Sequence, residues 1–246
     1  MQTVRMNLAD SFFDTVIELL RHSRSVNSAT LADAGKALAD CIANEGVFHV
    51  FGSGHSQIVA REVVNRAGGL VPVSQIVDPT GGWAEVLPGY GEKLFYRYAQ
   101  QFAPRKGDVA LVVSNSGMNP SPVGVALACA EAGLRVATLS NVTLSAKSES
   151  RHPSGKRLFE CGEWAFDNCG VPGDAAIPVP GQELKTGAVS TFPGAMLMDL
   201  LVLEAIGILQ ERGQEIPMLK SANTPGGRER NDAISARYRG RICRPI

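Results

Sequence analysis

From Gly46 onwards, short apolar runs alternate along the chain with longer stretches of helical character. A strand, a helix and another strand in succession indicate a parallel β-sheet, because parallel strands need a crossover connection. The runs are nearly continuous in Val, Ile, Leu and Phe, which is typical of strands buried on both faces. We therefore predict an α/β fold whose sheet is covered by helices on both sides. The predicted strands cover residues 47–51, 70–77, 109–113, 134–139 and 164–166.

The first 45 residues are predicted to form a helical arm. Apolar residues recur there at spacings of three and four, and a polar break at residues 22–28 precedes a second helix that begins near Thr30. We predict that this arm (1–45) belongs to the same domain as residues 46–246, which carry the sheet and a C-terminal tail. Later helices are predicted at residues 56–67, 92–102, 120–132 and 190–212.

The charge balance excludes several classes of protein. Lys and Arg number 24 and Asp and Glu number 24, so the formal net charge is zero. This excludes a strongly basic nucleic-acid binder and an acidic-tail protein. Asp199 and Glu204 interrupt the most apolar stretch, residues 195–209, which therefore indicates a buried helix rather than a membrane span. We expect neither nucleic acid nor a membrane as a partner.

The cysteine and histidine pattern bears on location and cofactors. Five cysteines are scattered without a C-x-x-C pair, and no His/Cys cluster has the spacing of a metal site. Asp10, Asp14 and Glu18 interrupt the apolar residues of the N-terminus, which is unlike a signal peptide. We expect a cytoplasmic protein with reduced thiols, no metal and no other cofactor.

Two small-residue loops dominate the chemistry. The first loop, Gly52–Ser53–Gly54–His55–Ser56, follows the first strand, and the second loop, Ser114–Asn115–Ser116–Gly117, follows the third. If the strand order is 2-1-3-4-5, these strands are neighbours and the loops face each other at the switch point of the sheet. Both loops supply hydroxyls and backbone N–H groups at helix N-termini, a combination that attracts an anion such as phosphate. The alternative is a pair of ordinary tight strand–helix turns.

Neither loop is a common nucleotide motif. The chain lacks G-x-x-x-x-G-K, and the first loop lacks the third glycine of GxGxxG. Instead, FGSGHS and VVSNSGMNP resemble the two loops of the SIS (sugar isomerase) domain family, and DNCGVPGDA (167–175) resembles its short stand-alone members. The second loop of that family usually reads S-x-S-G-x-T, whereas this chain has Asn119 where the Thr falls. The resemblance covers residues 46 to about 212.

The resemblance implies a flavodoxin-like three-layer α/β/α fold and a five-stranded sheet with an N-terminal helical extension. It also implies phosphosugar binding and homodimers or higher homo-oligomers with sites near the subunit interface; we expect the N-terminal helices at that interface. Asn119 is predicted to cap the next helix and to donate to a phosphate. By motif match, the predicted phosphate-binding residues are Ser53, Ser56, Ser114, Ser116 and Asn119. Ser53 and Ser56 have the alternative roles of a turn residue and a helix cap.

Candidate acid–base residues are less specific. Isomerisation of an aldose to a ketose needs an acid/base that opens the ring and a base that moves a proton between C1 and C2. Glu62 follows the first loop by nearly two helical turns and either faces the strand ends or meets solvent. His55 lies within the first loop. His152 and Lys156 lie in a polar loop after the fourth strand. Either His152 serves as an acid/base and Lys156 as a cation that binds the phosphate, or both are solvated loop residues.

Two further residues carry open alternatives. Glu85, on a Gly-rich loop after the second strand, is a possible site-lining residue. His49, in the middle of an apolar strand, is expected to be a satisfied core histidine. The C-terminal tail is predicted either to close the site or to dock as a helix.

The leading functional prediction is an aldose–ketose isomerase acting on a phosphorylated sugar or amino sugar. The first alternative is a lyase or etherase that uses the same phosphate site. The second is a non-catalytic phosphosugar sensor, although the arm is short and acidic for a DNA-binding helix-turn-helix.

Overall fold

The computed structural model describes residues 7–243, so the outermost ends of both predicted segments, 1–6 and 244–246, lie outside the described residues. Its centre is a five-stranded parallel sheet in the order β2-β1-β3-β4-β5, which confirms the predicted fold class and strand order. The strands are β1 (Phe48–Gly52), β2 (Val73–Ile76), β3 (Val109–Val113), β4 (Arg135–Ser140) and β5 (Trp164–Asp167).

Helices cover both faces of the sheet. They are α1 (Leu8–Val26), α2 (Ser28–Ala43), α3 (Ser56–Arg61), α4 (Tyr90–Phe102), α5 (Pro120–Glu131), α6 (Val142–Ser145), α7 (Thr191–Glu211) and α8 (Gly227–Ser235). Because side chains alternate along a strand, β1 feeds two cores. Phe48 and Val50 pack with α2, α3 and α7, whereas Phe51 packs on the opposite face with Phe95 of α4 and Val123 of α5.

The break between the two helices of the N-terminal arm lies within residues 22–28, as predicted, but it is much shorter. Helix α1 continues through His22 to Val26, and α2 begins at Ser28, two residues before the predicted start. The junction is the single buried residue Asn27. Its side-chain amide donates to the carbonyls of Ser23 and Asp167, each at 2.7 Å, and its Oδ1 accepts from the Asp167 amide at 2.9 Å. Asn27 therefore satisfies the backbone at the helix junction and ties the arm to the end of β5.

Helix α7 is the most apolar helix. By length and composition it passes as a membrane-spanning helix, with a mean hydropathy of 1.8 over the tested window. Residues such as Leu197, Leu201 and Leu209 are nevertheless buried in the core shared with α2 and the sheet. This arrangement agrees with the predicted buried helix.

The second strand is shorter than predicted. Residues 70–71 pair with the C-terminal segment, since the Val71 amide donates to the Pro217 carbonyl and Leu70 bridges Met218. Pro72 has no N–H to continue the ladder, so β2 begins at Val73. Helix α3 likewise ends at Arg61 instead of residue 67. A small antiparallel hairpin of β6 (Ala175–Pro178) and β7 (Lys185–Ala188) was not predicted.

The C-terminal tail docks at the amino ends of the strands. Tyr238 is buried against Val47 and Val71, which precede β1 and β2. Arg241 donates to Asp108 Oδ2 at 2.7 Å, just before β3. The tail up to residue 243 therefore lies at the opposite end of the sheet from the two loops, and the prediction that it closes the site is wrong for these residues.

Candidate functional site

The sheet brings the two loops together at its carboxyl edge. Gly52, the last residue of β1, is in register with Val113, the last residue of β3. The first loop therefore starts beside the second, as the predicted strand order requires. Helix α3 begins at the end of the first loop, and α5 begins at Pro120, directly after Asn119.

Glycine is required in both loops by close approach. A Cβ on Gly52 would lie 2.2 Å from the carbonyl oxygen of Ser56. Gly117 has a φ of +63°, and a Cβ there would lie 2.7 Å from Ser145 Oγ. Because a side chain would clash at either position, glycine allows both loops to turn tightly at the ends of their strands.

Several loop amides are free to bind a ligand. Within residues 7–243, the amides of Gly54, His55, Ser116, Met118 and Asn119 donate to no other group, whereas the Gly117 amide donates to Ser114 Oγ at 3.3 Å. The first turn of α5 adds little, because Pro120 and Pro122 have no N–H and Ser121 donates to the Glu85 carbonyl at 2.9 Å. Any anion here would be bound by loop amides and hydroxyls rather than by the helix end.

A cavity of about 340 Å³ opens beside these loops. Its walls are the first loop, the second loop, the segment after β5 and the start of α7. The lining residues are His55, Ser56, Val59, Val113, Asn115, Leu139, Asn168, Asp174, Ala188, Ser190 and Thr191. None of them is a lysine or an arginine, so the cavity wall is polar with little positive charge.

The structure brings part of the predicted set to this cavity. His55 and Ser56 line it directly. Ser114 and Ser116 belong to the loop that supplies Asn115 to the wall, and Ser114 is buried while Ser116 is half-buried. Asn119 precedes α5 without a side-chain capping bond, because its amide is used elsewhere.

The Ser53 hydroxyl is already engaged. It donates to Asp78 Oδ2 at 3.0 Å, so its single proton does not reach a ligand in this structure. Asp78 also accepts from the amides of Thr80 and Gly82 and from the hydroxyls of Thr80 and Tyr90. Burial alone would raise the pKa of Asp78, but the hydrogen bonds from Thr80, Tyr90 and Ser53 hold it below its usual value. Asp78 thus fastens the loop after β2 to the first loop.

Three other predicted residues lie outside the cavity wall. Glu62 follows α3 and is ion-paired with Arg66. His152 is buried, with Nε2 at 3.0 Å from Glu92 Oε1 and Nδ1 at 2.8 Å from Ser154 Oγ. Lys156 is exposed.

Sequence reasoning missed the far wall of the cavity. Asn168 donates to Asn115 Oδ1 at 2.8 Å, which ties the segment after β5 to the second loop. Asp174 accepts from the Ser190 amide at 2.8 Å and from its hydroxyl at 2.9 Å, which fixes the start of α7. The stretch DNCGVPGDA, which contains Asn168 and Asp174, was a signal that could have identified them.

Glu85 lies where the two loops meet. Its Oε1 accepts from Asn119 Nδ2 at 2.8 Å, and its Oε2 is 4.0 Å from the position of a Cβ on Gly54. Arg151 Nη1 donates to Asn119 Oδ1 at 3.3 Å. Asn119 therefore bridges a carboxylate and a guanidinium.

The fold and the loops define a three-layer α/β protein with a candidate anion site at the carboxyl edge of its sheet. The chain belongs to the SIS domain family, whose model matches residues 11–141. A UPF0309 protein of Listeria monocytogenes is 36% identical over 232 residues, covering 94% of this chain and 97% of the relative.

Solved structures share the fold at low sequence identity. The phosphoheptose isomerase of Neisseria gonorrhoeae superposes with a TM-score of 0.53 at 16% identity, covering 81% of this chain and 97% of that chain. The Vibrio vulnificus NanR protein complexed with ManNAc-6P also superposes with a TM-score of 0.53 at 16% identity, covering 85% of this chain and 66% of that chain.

Proposed function

We propose that this protein binds a phosphorylated sugar or amino sugar between its two loops and interconverts its aldose and ketose forms. The observation that carries the proposal is the pair of loops on neighbouring strands, with unpaired amides at Gly54, His55, Ser116 and Asn119 beside one polar cavity. Family membership supports the same site, since the matched region contains both loops.

The phosphate would be bound mainly by neutral groups. Ser116 and Ser56 supply hydroxyls, and the free loop amides supply further donors. Ser114 shapes the loop by accepting from Gly117 and has its own hydroxyl proton to donate. Oriented amides and hydroxyls stabilise a phosphate without a net positive protein charge.

The sugar would extend into the cavity. His55 lies on its wall and is the predicted group best placed to open the sugar ring by acid–base catalysis. Asn115 and Asn168 supply amides to the same wall, where sugar hydroxyls find donors and acceptors. No step of an aldose–ketose conversion requires an external oxidant or reductant, because one carbon is oxidised as its neighbour is reduced.

A phosphosugar sensor is the second candidate, because the NanR protein superposes on this fold with a bound sugar phosphate. In this chain, α1 and α2 pack on α7, and Leu31 and Leu38 of α2 are part of the central core. The N-terminal helices are therefore used for core packing, which favours the enzyme over a DNA-binding regulator. A lyase would use the same site with a carboxylate base and a different leaving group.

Ligand-dependent thermal unfolding tests the phosphate site. ManNAc-6P, glucose 6-phosphate and a heptose phosphate are added to the wild-type protein and to a Ser114→Ala/Ser116→Ala variant. A ligand at 100 times its Kd stabilises the native state by about 2.7 kcal/mol, so a binding sugar phosphate raises the wild-type Tm.

We expect the double variant to lose this ligand-induced shift. A Ser25→Ala/Ser28→Ala variant, altered at two exposed serines of the arm, should keep it. The phosphate site is refuted if no sugar phosphate shifts the wild-type Tm, or if the loop variant responds like the wild type. Incorporation of deuterium at C2 of a bound sugar phosphate that carries a C2 hydroxyl then separates an isomerase from a sensor, which binds without exchange.

We also propose that the protein is a cytoplasmic homodimer with its N-terminal helices at the interface. Phe13 of α1 is 64% exposed and Leu203 of α7 is 59% exposed, although both helices are otherwise packed against each other. Exposed apolar side chains that join into one patch mark an interaction surface, and a second subunit packed on α1 and α7 would cover these two residues.

A further inference from the structure

We propose that Glu85 is the catalytic base that moves the proton between C1 and C2 of the sugar, and that Asn119 orients its carboxylate. This inference rests on the proposed function. Glu85 lies in the loop after β2, and its contact with Asn119 depends on how that loop folds.

A base needs a carboxylate oxygen that no other group occupies. Asp78 accepts five hydrogen bonds, and Asp174 accepts from the amides of Val189 and Ser190 and from the Ser190 hydroxyl. Glu62 is ion-paired with Arg66. Among the described carboxylates around the two loops, Glu85 has one engaged oxygen, Oε1, and one without a partner, Oε2.

The unpartnered oxygen points to the first loop. Glu85 Oε2 is 4.0 Å from where a Cβ on Gly54 would be, and Gly54 carries a free amide. The side chain is half-buried, so the carboxylate is accessible to a ligand. Glu85 does not itself line the cavity of about 340 Å³, but a substrate bound between the loops at Gly54 would lie beside Glu85 Oε2.

The main chain of Glu85 is fixed on both sides. Its carbonyl accepts from the Ser121 amide at 2.9 Å, and its amide donates to the Gly82 carbonyl at 3.1 Å. The Gly82 amide in turn donates to Asp78. The Glu85 carbonyl, its amide and its side-chain Oε1 are thus each held by a hydrogen bond. The base is positioned before the substrate arrives, which lowers the cost of reaching the transition state.

Asn119 suits this role better than the threonine usual in the family motif. Its Nδ2 donates to Glu85 Oε1 while its Oδ1 accepts from Arg151, so the amide is oriented from both ends. A threonine has one hydroxyl proton and a shorter side chain, and it cannot offer separate donor and acceptor atoms in the same arrangement. The asparagine that replaces the usual threonine at position 119 therefore suits the neighbouring Glu85 carboxylate.

The proton step balances within the sugar. Glu85 Oε2 takes the proton from C2 of the open-chain aldose, the C2–H electron pair forms the C1–C2 double bond, and the C1 carbonyl electrons move to O1. The O2 proton leaves as the C2 carbonyl forms, while O1 gains a proton through water. The C1–C2 electron pair takes the proton back from Glu85 at C1 and gives the ketose.

The test compares Glu85→Gln with Glu229→Gln, at an exposed position in α8, in deuterium oxide. The probes are glucose 6-phosphate and a heptose phosphate, which carry the C2 hydroxyl that the step requires. Glutamine keeps an oxygen that accepts from Asn119 but cannot take the proton. We expect Glu85→Gln to retain the sugar-phosphate Tm shift and to lose deuterium exchange at C2 by about 100-fold or more, the usual contribution of a general base. Glu229→Gln should exchange within a few fold of the wild-type rate.

A positioning variant separates orientation from folding. Asn119→Ala should slow exchange less than Glu85→Gln does, and Asn119→Asp, which places a like charge beside Glu85, should slow exchange more than Asn119→Ala does. The inference is overturned if the wild-type protein catalyses exchange and Glu85→Gln exchanges at the wild-type rate. If no sugar phosphate shifts the wild-type Tm, or if the wild-type protein binds these sugar phosphates without exchange, the proposed function itself fails, which is a distinct result.

Discussion

At the scale of single residues, Gly52 shows how the site constrains the sequence. The residue ends β1 and lies so close to the backbone of Ser56 that a Cβ would lie 2.2 Å from its carbonyl oxygen. Nothing lies within 4 Å of a Cβ added to Gly207, in α7. A side chain would therefore clash with the backbone at Gly52 but would fit without contact at Gly207.

Gly52→Ala is expected to destabilise the protein by about 1–3 kcal/mol, the usual cost of overpacking, and to weaken sugar-phosphate binding because the first loop must shift. Gly207→Ala should stabilise it by up to about 1 kcal/mol, since alanine favours a helix interior over glycine. Urea unfolding measures both. Equal stability of the Gly52→Ala variant and the wild type would contradict the account of the first loop.

His49 illustrates a histidine used for structure. It is fully buried in β1, with Nδ1 at 2.7 Å from the Tyr98 hydroxyl and Nε2 at 3.1 Å from Asp108 Oδ2. Arg241 also donates to Asp108 Oδ2, so the carboxylate is shared between two partners. Burial lowers the pKa of His49 below its ordinary 6.5 despite the neighbouring carboxylate, and the imidazole is therefore neutral in the folded protein.

Stability should consequently decrease as pH falls below about 6.5. In that range the unfolded chain binds a proton at His49 and the folded protein does not, so the free energy of unfolding declines toward the lowered folded pKa, by at most about 1.4 kcal/mol per pH unit. Urea unfolding between pH 5 and 8 measures this slope. His49→Gln should reduce it and His22→Gln, at an exposed position in α1, should not; a flat wild-type profile would refute the neutral imidazole.

At the scale of elements, the sheet was predictable and the hairpin was not. The strands β1 and β3 are continuous apolar runs, and burial on both faces requires that composition. The hairpin strands contain Pro178 and Gly187, which are poor strand formers, and the segment after β7 is fixed by the distant contact of Asp174 with Ser190. Local pattern does not reveal such tertiary contacts.

The candidate site likewise has a part that the sequence predicts and a part that it does not. The serines and glycines of the two loops lie between a predicted strand and a predicted helix, a pattern that is visible in the local sequence. The sequence therefore identified them. The contact of Glu85 with Asn119 joins residues 34 positions apart and depends on Asp78 folding the intervening loop. Glu62 was chosen by helical spacing, but α3 ends at Arg61 and Glu62 pairs with Arg66.

The C-terminal tail is held by a buried ion pair that sequence alone did not reveal. Arg241 and Asp108 have side chains only 8% and 2% exposed, whereas Arg237, four residues earlier, pairs with Glu45 and Glu215 at the surface. Breaking a buried pair leaves an uncompensated charge, which is costly.

Arg241→Ala is therefore expected to destabilise the protein by about 3–5 kcal/mol. Arg237→Ala should cost less than about 1 kcal/mol, because its partners are solvated. Thermal and urea unfolding of both variants measure the difference. Similar losses from the two substitutions would contradict the account of the tail.

At the scale of the whole molecule, the proposed dimer accounts for the exposed apolar residues of α1 and α7. A chain of 26.1 kDa should elute with about twice that mass in light scattering after size exclusion. Leu203→Glu should shift the protein toward the single-chain mass, because a charge would be buried at the interface. Leu87→Glu, at a comparably exposed leucine outside α1 and α7, should leave the mass unchanged; a monomeric wild type would refute the dimer.

The net charge of zero is consistent with the location of the proposed site. A phosphate attracted by the overall field would need an excess of cations, whereas the cavity wall at the carboxyl edge contains none. Binding by local amides depends weakly on salt compared with binding by a cationic surface. In the proposed function, the sheet edge positions the two loops and the loops bind the phosphate.

A crystal structure of the protein with a sugar phosphate, or with inorganic phosphate, tests the central claim most directly. The account predicts the phosphate between the first loop, Gly52–Ser56, and the second loop, Ser114–Gly117, within hydrogen-bond distance of Ser116 and of the free loop amides. A phosphate bound at any other place, with the space between the two loops empty, would contradict it.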